Sequence, residues 1–276
     1  MHIGGRAGVA EIGGRMHHDE TSEFLSVMSH LKRVLSAPGT PMAERTVGET
    51  VAEMPGRSRV FQNHQIDFCC QGGRTVRDAC EKKGVDLARV VAELEAVQAG
   101  ASAPEGNPAE LAPDELAAYI VDVHHRFLRT ELPRLRAMAQ RVAQVHGGHT
   151  PSLVKVLEVF LAMEAELTLH LLKEEQILFP AVAMMASGHS APMPLDGPVA
   201  CMMHEHEEAG AALVELRELT SDFTPPVEAC NTYRALFSGL AELEADLHRH
   251  IHLENSVLFP AARRMALEGV AVETEG

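Results

Sequence analysis

Two segments of this chain carry the same chemistry twice. His170-Leu-Leu-Lys-Glu174-Glu-Gln-Ile-Leu178-Phe179-Pro180 and His250-Ile-His-Leu-Glu254-Asn-Ser-Val-Leu258-Phe259-Pro260 share His, Glu, Leu, Phe and Pro at an offset of 80 residues. One helix earlier in each half, His125 and His206 stand 81 residues apart. A His and a Glu four residues apart lie on one helix face, one turn from each other, so both can reach a single interior point. The stripes Met163, Leu167, His170, Glu174, Ile177, Leu178 and Leu243, Leu247, His250, Glu254, Val257, Leu258 put these polar groups on faces that are otherwise apolar. Imidazoles and carboxylates on a buried face are costly unless they are paired or bind metal. A single such motif reads as a solvated helix pair. Two, at equal offset and each preceded by a further His, make a shell of four His and two Glu. That shell suits two divalent first-row metals about 3.5–4 Å apart, with the carboxylates bridging them. Mixed N/O ligands fit iron, with manganese or zinc as alternatives.

The elements that must position these residues are helical. Aromatics make up only 4% of 276 residues, Trp is absent, and Leu, Ala, Val and Met dominate, a composition that favours helix over sheet. Long amphipathic stretches at about 113–145, 152–186, 198–219 and 227–267 are separated by breaks rich in Gly and Pro. Short loops between successive long helices predict an up-down four-helix bundle. Upstream, residues 46–98 read as a small helical unit, and Thr46-Val47-Gly48-Glu49 looks like a helix start with an acidic third position. Residues 99–112, with repeated Pro and Gly, read as a linker, and 113–267 as the bundle. Residues 1–41 are expected to be a disordered extension. The fold class is therefore all-α, a small helical domain followed by a four-helix bundle.

The other polar residues read less sharply. Glu166, one turn before His170, and Glu205, beside His206, are candidates to hold a ligand's second nitrogen or relay a proton. His124, His204, His248 and His252, one or two positions from proposed ligands, are expected at the surface or as supports. Asp67-Phe68-Cys69-Cys70-Gln71-Gly72-Gly73 precedes a helix at Thr75. A nearby helix N-terminus would lower the thiol pKa, which makes Cys69 and Cys70 redox or iron-transfer candidates. Cys80, Cys201 and Cys230 are expected to pack.

Charge and cysteine content set limits. With 24 Lys+Arg against 39 Asp+Glu the net charge is −15, which argues against nucleic acid or an anionic membrane as partner. Five scattered Cys do not make a disulfide framework, and together with an N-terminus lacking an apolar leader they point to a reducing cytoplasm.

From about residue 46 to 265 the chain resembles the repair-of-iron-centres family, with an ScdA-type N-terminal domain and a hemerythrin-like di-iron bundle. The motifs that carry the likeness are Asp67-Phe-Cys69-Cys70-x-Gly72-Gly73, Lys173-Glu174-Glu175-Gln176-Ile177-Leu178-Phe179-Pro180, Glu205-His206-Glu207-Glu208-Ala209-Gly210 and Leu253-Glu254-Asn255-Ser256-Val257-Leu258-Phe259-Pro260. The resemblance implies two non-haem, carboxylate-bridged iron ions on His125, His170, Glu174, His206, His250 and Glu254. His125 is chosen over the adjacent His124 by the repeat offset. It also implies repair of iron–sulfur clusters damaged by nitrosative or oxidative stress, by iron donation. The alternative is a di-iron oxidoreductase that binds or reduces nitric oxide. Implied partners are damaged iron–sulfur proteins, with nitric oxide or dioxygen as small ligands. The oligomeric state stays open, a homodimer included. Residues 1–41 depart from the family pattern.

Overall fold

The computed structural model describes residues 40–97 and 107–274, with side chains to residue 268. The expected extension, up to residue 39, and the first part of the expected linker lie outside the described residues.

The N-terminal unit is built on local capping. Helices α1 (Val47–Glu53), α2 (Ser58–Asn63), α3 (Val76–Lys83) and α4 (Leu87–Ala96) enclose a small core. Thr46 accepts from the Glu49 N–H while the Glu49 side chain takes the Thr46 N–H, the reciprocal cap that the sequence predicts. Thr75 caps α3 by accepting the Asp78 N–H, and Asp86 caps α4. Gly84 ends α3 in a left-handed conformation, which costs glycine little. Val47, Phe61, Phe68, Val76, Val90 and Leu94 fill the interior.

Four long helices follow. α5 (113–146) begins on Pro113, α6 spans 152–186, α7 is Asp196–Leu219 and α8 spans 231–274. α5 packs on α6 and α8, and α6 packs on α7, as in an up-down bundle. α8 starts at Asn231 rather than near 227, because Pro225-Pro226 is followed by a turn and Cys230 occupies the cap position. The second half of the expected linker is ordered: Asn107 donates to the Ala52 carbonyl at 2.7 Å and Pro108–Glu110 form a 3₁₀ turn.

Three of the four bundle helices contain a π-helical turn, a feature with no counterpart in the sequence pattern. The turns are Val121–His125 in α5, Glu174–Leu178 in α6 and Glu254–Leu258 in α8. Each carries a proposed ligand, and such turns recur at functional sites. They also correct the predicted stripes. Ile177, placed on the core face by regular helical spacing, is 46% exposed, and Val257 is only half-buried, whereas Leu178 and Leu258 remain buried. The wider turn changes the register by part of a residue.

The apolar core of the bundle falls into two clusters. One contains Leu128, Leu167, Leu171, Ala209, Leu213, Leu247 and Ile251, the other Ile120, Leu178, Met202, Leu253 and Leu258. On every helix, the proposed metal ligands fall between the two. A polar layer thus crosses the bundle between two apolar slabs.

The π turn of α8 also docks the N-terminal unit. A Cβ on Gly48 would lie 2.6 Å from Ser256 Oγ and 3.1 Å from the Gly72 carbonyl oxygen, so only glycine permits this approach. Gly48→Val should therefore cost about 1–3 kcal/mol by overpacking, read as a lower midpoint in chemical denaturation.

Candidate metal centre

The polar layer brings all six sequence-predicted residues together. His125, His170, His206 and His250 are at most 2% exposed, and Glu174 and Glu254 are fully buried. Ligand atoms of His125, Glu174, His250 and Glu254 lie within 4.8 Å of one another, and those of His170, Glu174, His206 and Glu254 do likewise. The two carboxylates belong to both groups. Glu174 places one oxygen 3.4 Å from His125 Nε2 and the other 3.3 Å from His170 Nε2. Glu254 places one 3.0 Å from His250 Nε2 and the other 3.1 Å from His206 Nε2. Each carboxylate spans two positions, as a bridge between two ions requires.

The rings are oriented from behind. His125 Nδ1 donates to Glu175 at 2.7 Å, and Glu175 is gripped by Arg129. His170 Nδ1 donates to Glu205 at 2.8 Å, and Glu205 is gripped by Lys173. His206 Nδ1 donates to Asn255 Oδ1 at 3.0 Å. These bonds place the proton on Nδ1 and turn the Nε2 lone pair inward. His250 Nδ1 has no partner among the described residues.

That geometry poses an electrostatic problem without a cation. His125 and His250 face each other Nε2 to Nε2 at 3.3 Å, and His170 and His206 at 3.1 Å. Both oxygens of Glu174 and one of Glu254 are buried without a hydrogen-bond partner among the described residues. Converging ring nitrogens and orphaned carboxylate oxygens in a buried layer are the donor set of a metal site, and these residues fit a pair of divalent cations.

The titration behaviour agrees. Burial alone would lower the His170 pKa, but Glu174, Glu254 and Glu205 outweigh it and raise it to about 9. His125 is raised against burial by Glu174, Glu254 and Glu175. His250 is lowered, because burial outweighs Glu254. Burial pushes Glu254 up, yet His250 and His206 hold it well below the usual carboxylate range.

Not every predicted support takes its expected place. Glu205 does hold a ring, whereas Glu166 is exposed at the rim of a cleft beside His170. Glu175 and Asn255 were missed, although they follow Glu174 and Glu254 at the same repeat offset. His124 and His252 are not at the surface but are 3% and 4% exposed. His124 Nδ1 bonds Asp246 at 3.1 Å and its ring stacks on His250. His252 packs against Phe68, and burial lowers its pKa to about 4. His204 is exposed.

The cysteines need a larger correction. Cys69 is buried, and its pKa is raised well above normal by its bond to Cys70, by burial and by Asp67. The N-terminus of α3 lies several residues further on, so it does not activate the thiol as expected. Asp67 Oδ1 accepts both the Cys69 and Cys70 N–H groups and braces the turn. The Cys70 thiol donates to the His206 carbonyl at 3.4 Å, so the motif touches the bundle at a proposed ligand. Asp67, Cys69 and Cys70 themselves form a compact cluster of potential ligands. Cys80 is buried, but Cys201 and Cys230 are exposed rather than packed.

A four-helix bundle with a buried layer of four imidazoles and two shared carboxylates is a cation-binding bundle of the hemerythrin type. Residues 116–262 match the hemerythrin HHE cation binding domain, and residues 43–98 match ScdA_N, a domain of unknown function. The iron–sulfur cluster repair protein YtfE of Edwardsiella ictaluri is 39% identical over 220 residues, covering 79% of this chain and 96% of the relative. Those of Musicola paradisiaca and Pectobacterium atrosepticum are 36% and 37% identical over 222 residues, 80% of this chain and 97% of each relative. The chain belongs to the YtfE family of iron–sulfur cluster repair proteins. Among the described residues, no helix is long and apolar enough to cross a membrane.

Because His170 carries its extra proton at neutral pH in the metal-free chain, metal must displace it. Adding ferrous iron to the metal-free chain at pH 7 should release about one proton or more per chain, read with a pH indicator, and the release should shrink above pH 9.

Proposed function

We propose that this chain holds two non-haem iron ions on His125, His170, Glu174, His206, His250 and Glu254, and supplies iron to iron–sulfur clusters damaged by nitrosative or oxidative stress. The observation that carries this is the convergence of four Nε2 atoms on two shared carboxylates in one buried layer. The names of the relatives support repair as the task. Damaged iron–sulfur proteins are then the clients, and five free thiols among the described residues suit a cytoplasmic setting. A homodimer is compatible with this scheme.

The chain's own residues divide the work. Glu175, Glu205 and Asn255 fix ring orientation, so the ligands do not have to reorganise to bind. Glu174 and Glu254 offset the charge of two close cations. Iron itself supplies the cargo that a damaged cluster lacks. Cys69 and Cys70 offer soft sulfur donors beside His206, where an outgoing ion or a client can be met. A cleft of about 130 Å³ between α6 and α7, lined by Met163, Leu167, Lys173 and Ala209, leads to His170 and His206 and has room for small molecules. Nitric oxide and dioxygen are proposed as ligands that enter there.

Two experiments test this. His170→Ala and Glu254→Ala should each lose bound iron and repair activity, by metal analysis of anaerobically purified protein. Full iron content in both variants would refute the ligand assignment. Cys69→Ser should abolish repair of a nitrosylated cluster while leaving nitric oxide consumption intact. Loss of both together would favour an oxidoreductase in which the N-terminal unit serves the bundle.

A further inference from the structure

Among the ring supports, Asn255 differs from the others. Glu175 and Glu205 are carboxylates fixed by cations of the bundle itself. Asn255 is a neutral amide, and its other end belongs to the N-terminal unit. Its Nδ2 donates to the Cys69 carbonyl at 3.2 Å while its Oδ1 accepts from His206 Nδ1 at 3.0 Å. A backbone carbonyl can only accept, so the amide nitrogen must face Cys69 and the oxygen must face His206. The Cys70 thiol adds a second link, to the His206 carbonyl. One ligand residue is thus tied at two points to the Cys69-Cys70 turn, its ring through Asn255 and its backbone through Cys70.

The two ion positions also differ in their surroundings. At the first position His124, pinned by Asp246, stacks on His250, Phe179 stacks on His125, and only His250 of the pair reaches the cleft between α6 and α7. At the second, Phe259 stacks on His206 in the same way, but both His170 and His206 line that cleft, together with Lys173 and Glu205. An ion at this second position has both an opening and a ligand under outside control.

We infer that the ion held by His170 and His206 is the one the chain gives up, and that Asn255 is the positioning residue through which the Cys69-Cys70 turn sets how firmly His206 holds it. This rests on the proposal that the six residues bind two irons. While the turn stays in place, the amide keeps the His206 Nδ1 proton facing outward and Nε2 aimed at the ion. When a client displaces the turn, the amide loses its anchor, His206 is free to rotate, and the ion's hold weakens. A neutral support makes this reversible, because it polarises the ring less than a carboxylate would.

The test uses the full-length, iron-loaded chain and an excess of a ferrous chelator. The wild type should release iron in two phases, one ion in each. Asn255→Asp places a carboxylate behind His206 and should slow the fast phase about tenfold or more, whereas Asn255→Ala should speed it by a similar factor. The slow phase should be unchanged in both. Opposite signs separate positioning from damage, since a merely loosened structure would speed release in both variants. A second measurement needs no iron: ¹⁵N spectra of the metal-free chain should show His206 as the Nδ1–H tautomer in the wild type and as a tautomer mixture in Asn255→Ala. Equal release rates in all three proteins, faster release in both variants, or an unchanged His206 tautomer would overturn the inference while leaving the iron site standing. A wild type that loads no iron would remove the site and the inference together.

Discussion

The structure depends on balancing the charges of imidazoles and carboxylates crowded into one buried layer. Four imidazole nitrogens point inward, two carboxylates lie between them, and several of these atoms have no hydrogen-bond partner. Neither burial nor hydrogen bonding alone makes that arrangement favourable. Two cations do. The Nδ1 partners, the π turns and the separation of the apolar core into two slabs all read as provisions for placing those six groups around such a pair.

The π turns show how the backbone meets that need. Glu174–Leu178 and Glu254–Leu258 occupy equivalent places in the two halves of the repeat, so the duplication extends to backbone geometry. Each turn starts on a carboxylate that must reach both ion positions. In α8 the same turn presents Asn255 and Ser256 to the N-terminal unit. One local irregularity therefore serves both the site and the docking of the second domain.

The clustering of the six His and Glu residues was legible in the sequence because His and Glu four apart, repeated at 80, have few other uses on an apolar stripe. The all-α bundle and the caps at Thr46, Thr75 and Asp86 were legible for similar reasons, since spacing and end residues state them directly. The π turns were not, because a widened turn has no residue signature of its own, and Ile177 was misplaced as a result. Glu175 and Asn255 were within reach of the same repeat that exposed their neighbours. The burial of His124 and His252 was not, because it depends on Asp246 and on Phe68 from the other unit. The Cys69 thiol was misjudged because proximity in sequence to a helix start does not place a group at that helix's dipole.

The polar layer between two apolar slabs has a consequence for the lifetime of the chain. A cation that binds only the folded layer stabilises it by mass action, and a copy without it lacks that contribution. Its two slabs then meet across a seam of unpaired buried groups, which lowers the barrier to local opening. A protease should accordingly cut the empty chain faster than the filled one. The layer that binds the metal thus also sets how readily each molecule opens.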